Sequence, residues 1–254
     1  MLPTIDVLGR EISLYGLMGV IGILFGTIAA IYRRKIYNIS KDDVLFSSCY
    51  AGIGLLIGAK LLFIITILPD LIKNRDLLFS DPKILIHILA GGLVFYGGLI
   101  GAFLGYYVYS KQYKINFITL LDLIAPSIPL VHGFGRIGCF TAGCCYGIEY
   151  HGIFHVIFEC SQVAPNGVPL LPIQLISSGV NFLGCIFLFL YARNKRKPGR
   201  VIGIYLILYS IARFVIEFFR GDVARGIFFG VSTSQWISLL LIPFGLWLFF
   251  KSIC

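Results

Sequence analysis

Seven apolar windows divide the chain, near residues 12–32, 45–68, 84–109, 117–137, 173–192, 201–219 and 234–250. Each holds about 20 mostly apolar residues, the length that crosses roughly 30 Å of hydrocarbon as a helix. Backbone N–H and C=O groups in lipid have to be satisfied within their own segment. The pattern therefore predicts an all-α polytopic membrane protein with about seven transmembrane helices. The first window follows Asp6 and Glu11 instead of a basic tract and exceeds a signal-peptide core, so it reads as a retained span.

The polar connections set the orientation. One alternate set carries twelve Lys and Arg residues and the other seven, with Lys60 and Arg213 inside spans. Cytoplasmic loops carry the excess, so the N-terminus is expected outside and the C-terminus in the cytoplasm. The two longer connections, 69–83 and 138–172, both fall on the outer face. No linker, low-complexity tract or pair of matching halves interrupts the chain, so residues 1–254 read as one integral-membrane domain and not as an inverted-repeat transporter.

Composition agrees with the bilayer: 58% hydrophobic and 13% charged residues give a mean hydropathy of +0.90. The net charge of +9 suits loops lying against anionic headgroups, and nothing resembles a nucleic-acid module.

Charges inside the spans narrow the chemistry. An ionisable group at the centre of a bilayer costs about 2.5–3.5 kcal/mol on insertion scales, so each needs a partner or a purpose. In "YSIARFVIEFFRGD" the residues Arg213, Glu217 and Arg220 are spaced to share one helix face. A neutralising Arg213–Glu217 pair is the structural reading, yet it leaves Lys60 and Arg136 without carboxylates. Surplus buried positive charge calls for an anion, and a planar guanidinium matches phosphate oxygens. In the outer leaflet that phosphate is a phospholipid head. "GGLVFYGGLIGAFLG" adds close-approach positions: Gly97, Gly101 and Gly105 suit helix packing, while the doubled Gly97-Gly98 after Tyr96 suggests room for a ligand.

The densest motif is "HGFGRIGCFTAGCCYG", residues 132–147, with one arginine, three cysteines and five glycines. Cys139, Cys144, Cys145 and Cys160 leave several readings open: a disulfide on an oxidising face, a reactive thiol beside Arg136, a metal site, or plain packing with the glycines shaping a re-entrant turn. The Cys-x4-Cys-Cys spacing matches zinc frameworks only loosely, so no metal and no cofactor are expected.

The same motif resembles the Gly-Arg-x-Gly-Asn-Phe signature of the bacterial phosphatidylglycerol–prolipoprotein diacylglyceryl transferases, through Gly135, Arg136, Ile137, Gly138, Phe140, Gly143 and Gly147. Further similarity runs along the chain in "ISLYGLM" (12–18), "GAKLLF" (58–63), "YGGLIG" (96–101), "PIQL" (172–175), "ARFVIEFFRGD" (212–222) and "STSQWISL" (232–239). The resemblance implies transfer of the diacylglyceryl group of phosphatidylglycerol to the lipobox cysteine thiol of a prolipoprotein signal peptide, forming a thioether and releasing glycerol phosphate. It places the protein in the bacterial cytoplasmic membrane among membrane lipids, with its active site open to the outer leaflet.

Arg136 and Arg213 are then expected to hold the head group and act in catalysis, with Glu217 as partner of Arg213. Lys60, Tyr15, Gly97, Gly98, Gly143 and Arg220 complete the expected lipid-binding set. The chain departs from the family pattern at Tyr96, where a histidine is usual, at Cys139 and Ala142 in place of Asn, at Cys144-Cys145, and at Ile176-Ser177 after "PIQL". These departures leave the thiol's base open. A phenol such as Tyr96 is a poor base near neutrality; His132, one turn before Arg136, is a substitute, and Glu217, a weak base while held by Arg213, is the other option. Transfer to a different acceptor and a non-catalytic phospholipid-binding or anion-conducting bundle are the alternative functions.

Overall fold

A computed structural model describes residues 4–7, 10–73, 91–222 and 226–251. Residues 84–90 of the third predicted span lie outside the described residues, as do Arg75, Lys83, Arg225 and Cys254. The chain forms two compact units, residues 1–39 with 121–254, and residues 40–120.

The first unit begins with a short hairpin, β1 (Thr4–Val7) and β2 (Arg10–Ser13), and then α1 (Leu14–Arg33). The predicted fourth span is not one straight helix: α4 (Phe117–Ile124) and α5 (Ser127–Ala142) meet at a 47° bend. Pro126 sits at the break, where its ring and missing N–H stop α4 from continuing. A loop with two short strands, β3 (Val156–Ile157) and β4 (Pro169–Leu170), leads to α6 (Ile173–Tyr191), followed by α7 (Arg200–Glu217). The hairpin β5 (Ile227–Phe228) and β6 (Val231–Ser232) leads into α8 (Thr233–Phe250). That last helix starts on a capping box: Ser232 Oγ accepts from Gln235 N at 3.3 Å, and Gln235 Oε1 accepts from Ser232 N at 3.0 Å.

Lipid-facing helices bury their small residues and expose their large ones. In α1 the buried positions are Gly22, Gly26, Ala30 and Arg33, while Val20, Ile23 and Leu24 are exposed. A Cβ on Gly22 would sit 3.0 Å from Phe134 Cβ, so the small stripe is what lets α1 approach α5. Away from the motif, fully buried Arg33 donates to the carbonyls of Leu123 (2.9 Å) and Ala192 (3.2 Å). Buried Asp122 accepts from Gly199 N (2.8 Å) and Ile202 N (2.9 Å), satisfying the first turn of α7. These groups tie helix ends about 27 Å along α7 from Glu217, at 1.5 Å per residue.

The second unit is a helix pair, α2 (Lys41–Lys73) and α3 (Phe95–Gln112). Gly54 faces Gly101, Gly58 faces Gly97, and Gly105 faces the Tyr50 carbonyl, each too close for a Cβ. Gly97 and Gly98, expected to clear room for lipid, are buried in this contact against Gly58, Leu62 and Leu55. Gly101→Ala would drive its methyl into the Gly54 carbonyl, a backbone atom that cannot swing away. A loss of about 1–3 kcal/mol is expected, the usual cost of overpacking, read as a lower unfolding midpoint in detergent.

Four described helical segments are long and apolar enough to cross a membrane: 14–37, 41–73, 173–191 and 233–250. The bent pair α4–α5 makes a fifth. The protein is therefore an all-helical, multi-pass type. The predicted sixth window forms a helix, α7, but with Arg200, Arg213 and Glu217 in it that helix is not among these segments.

Candidate active site

The motif 132–147 is helical through Ala142, so Gly135 and Gly138 lie inside α5 and do not form the expected re-entrant turn. The helix ends at Gly143, in the left-handed region at φ +71°. Gly143 N–H donates to Phe140 O (3.2 Å) and Cys144 N–H to Cys139 O (3.1 Å), the paired bonds of a Schellman cap. That cap stacks the residue after glycine over the third from the helix end, so Cys144 folds back onto Cys139. Cys145 is also left-handed at φ +55°, which turns its side chain to the same side. The Sγ atoms of Cys139, Cys144 and Cys145 lie within 4.8 Å of one another, all as free thiols. Cys144 Sγ also lies 3.7 Å from the Cys139 carbonyl oxygen, and the Arg220 and Arg136 guanidiniums stand within electrostatic reach of Cys145.

The segment after the cap stitches α5 to the end of α7. Ile148 N donates to Phe219 O (3.0 Å), Gly221 N to Tyr146 O (3.0 Å), and Gly147 bridges to Arg220. A small cluster of Phe158, Ala164 and Leu170, with Phe140 and Tyr146 against it, holds the loop in place. Arg220 was expected on the same helix face as Arg213 and Glu217. Instead α7 stops at Glu217, and Arg220 is placed by this strand-like pairing, because the backbone at 219–221 finds partners in 146–148.

Glu217, 3% exposed, sits between two guanidiniums. Arg213 Nη2 lies 2.7 Å and Arg220 Nη1 3.6 Å from its Oε2. Arg213 Nη2 also donates to Ser234 Oγ at 2.7 Å, and Arg220 Nε donates to Asp222 Oδ1 at 2.9 Å. Arg136 is different: its Nε donates to His132 Nε2 at 3.2 Å, and among the described residues no carboxylate lies within 4 Å of it. His132, whose ring lies 5.7 Å from that of Tyr209, is therefore the Nδ1–H tautomer, with its free lone pair aimed at Arg136. Tyr15 packs across Gly138, within electrostatic reach of Arg136 and the three thiols.

One unit thus gathers Arg136, His132, Arg213, Glu217, Arg220, Tyr15 and Gly143. Lys60, Tyr96, Gly97 and Gly98 belong to the other. There, Lys60 Nζ donates to Gly91 O at 2.5 Å and lies 5.1 Å from the Phe63 ring, and Tyr96 is 40% exposed against Phe95. Sequence reasoning missed Ser234 and Asp222. Nothing in local spacing marks Ser234, whereas Asp222, two residues from Arg220, was open to view.

Comparison with known proteins identifies the family. The family model described as "Prolipoprotein diacylglyceryl transferase" matches residues 3–251. The chain is 38% identical over 244 residues to the phosphatidylglycerol–prolipoprotein diacylglyceryl transferase of Clostridium tetani, covering 96% of this chain and 94% of the relative. It is 36% identical to the second such protein of Clostridium perfringens, with 96% and 92% covered. The counterpart in Rickettsia bellii is 34% identical, with 96% and 92% covered. With the family model matched over residues 3–251 and relatives 34–38% identical over 96% of its length, the chain belongs to the prolipoprotein diacylglyceryl transferase family.

Proposed function

We propose that this protein transfers the diacylglyceryl group of phosphatidylglycerol to the lipobox cysteine thiol of a prolipoprotein signal peptide, releasing glycerol phosphate. The observation that carries the reading is Arg136: a partly buried guanidinium held by a neutral histidine, with no carboxylate partner among the described residues. The lipid's phosphodiester is singly charged before reaction and gains charge as the C–O bond breaks. A fixed guanidinium therefore binds the departing phosphate more tightly than the substrate, which is the condition for lowering the barrier. Arg213, steered by Glu217 and Ser234, supplies a second donor set, and Arg220 a third charge. Tyr15 and Gly143 shape the lipid side. The names of the relatives favour this reaction over a non-catalytic lipid-binding or anion-conducting bundle.

The topology that fits is seven spans in a single domain, N-terminus outside, with the site open to the outer leaflet of the bacterial cytoplasmic membrane. Positive loops at 33–35, 111–114 and 193–200 then face the cytoplasm. Incubation with phosphatidylglycerol and a lipobox peptide, read by mass spectrometry, should show the diacylglyceryl mass on cysteine. An unmodified peptide, with phospholipid bound, would overturn the reading.

His132 aims Arg136 in this arrangement and does not take the thiol proton, since its available lone pair already accepts from Nε. His132→Gln keeps an acceptor and should retain most activity. His132→Leu should lower kcat/KM about 10- to 100-fold, the 1.5–3 kcal/mol of a hydrogen bond to a charged group. Equal losses in both variants would point back to a base.

A further inference from the structure

With His132 turned to Arg136 and Glu217 held by Arg213 and Arg220, the described site leaves the acceptor thiol without an evident base. The cysteine cluster supplies another way to ionise it. Three Sγ atoms within 4.8 Å of one another, on a left-handed helix cap, need little movement to surround one ion: zinc–sulfur bonds of about 2.3 Å set tetrahedral sulfurs about 3.8 Å apart. A disulfide would join two of the three and strand the other. Soft thiolates select d10 ions such as zinc. Among the described residues no fourth histidine, cysteine or carboxylate joins the group, so a metal there has an open position, the hallmark of catalytic rather than structural zinc. The backbone is braced for ligation, with Gln174 Nε2 donating to Cys144 O at 3.0 Å. The positive charges of Arg136 and Arg220, within electrostatic reach of the cluster, offset the negative charge of a zinc tris-thiolate.

We propose that Cys139, Cys144 and Cys145 bind one zinc ion through three thiolates and that the acceptor cysteine takes the fourth position as a thiolate. This departs from the expectation of no metal, and its fourth-ligand role rests on the diacylglyceryl-transfer reading. The step balances as follows. On binding zinc the acceptor S–H gives its proton to water, because a coordinated thiol ionises near neutrality. Its sulfur lone pair then attacks the diacylglyceryl carbon that bears the phosphate ester. The S–C bond forms, the C–O bond breaks, and the C–O electron pair leaves on glycerol phosphate, beside Arg136. No electron donor or acceptor is needed, and the neutral thioether, a weaker ligand than thiolate, departs. The three cysteines that break the family's signature thereby replace the missing base.

The protein, purified in detergent under reducing conditions without oxygen, should carry close to one zinc per chain. Stripping with a chelator should lower transfer about 100-fold or more, the usual contribution of base assistance, and zinc alone should restore it. Cadmium substitution should give sulfur-to-metal charge-transfer absorption that weakens in Cys139→Ser, Cys144→Ser and Cys145→Ser but not in Cys49→Ser. Arg136→Ala should keep its zinc while losing transfer, which separates the metal site from the phosphate site and from misfolding. Full transfer after stripping, zinc-free active protein, or active protein whose mass shows a cysteine pair oxidised would each overturn the proposal. Zinc bound at these cysteines with no thioether formed by the wild type would support the metal site and overturn the transfer reading and the fourth-ligand role together.

Discussion

Arg136→Ala should lower kcat/KM for diacylglyceryl transfer about 100- to 1,000-fold, the roughly 2.7–4 kcal/mol that removal of one preorganised oxyanion donor costs. Arg136 has no carboxylate within 4 Å among the described residues, and its one recorded hydrogen bond goes to a neutral imidazole. Its charge is therefore not neutralised by a carboxylate among the described residues and is available to the phosphate. Deleting it leaves no buried acid unpaired, so the fold should tolerate the change and the loss should fall on catalysis. Arg136→Lys keeps the charge but loses the planar fork and the Nε–H bond to His132, and should be intermediate. Single-turnover assays with a lipobox peptide separate the effect on the chemical step from lipid binding. A variant that inserts normally and transfers at the wild-type rate would remove Arg136 from the mechanism.

Glu217→Gln should act through stability as well as activity. Its carboxylate is 1% exposed at the side chain and sits between Arg213 and Arg220, themselves 12% and 10% exposed. Removing one member of a buried ion network leaves uncompensated charge and costs about 3–5 kcal/mol. The neutral amide cannot hold Arg213 against Ser234 at the same angle, so transfer should also fall. Thermal unfolding in detergent and kcat/KM, measured together, check both parts. An unchanged midpoint with unchanged activity would show that the network neither stabilises nor aims the arginines. Glu217→Asp, whose shorter side chain falls short of both guanidiniums, should recover only part of either quantity.

Much of the helical plan was legible because hydrophobicity is a local property. A block of apolar residues long enough to span a bilayer announces itself without reference to the rest of the chain, and segments 14–37, 41–73, 173–191 and 233–250 are such blocks. Helix ends were less legible. The predicted single helix at 117–137 breaks at Pro126 and runs on to Ala142, and the stripe ending at Arg220 stops at Glu217, where the backbone pairs with residues 146–148. Those outcomes depend on partners far away in sequence.

The site divides in the same way. Charge inside a span is costly wherever it lies, so Arg136, Arg213 and Glu217 stood out from composition and spacing alone, and the quoted motifs placed the chain in its family. Their roles as a set needed the fold. That His132 faces Arg136 with its lone pair, that Ser234 reaches Arg213, and that Gly97 and Gly98 close the α2–α3 contact are facts of packing. The three cysteines show the difference best. As the string Cys-x4-Cys-Cys they fit no strong metal spacing, because ligand spacing in sequence says little until the backbone path is known. The left-handed cap at Gly143 and the left-handed turn at Cys145 bring their sulfurs together, and only the tertiary structure contains that path.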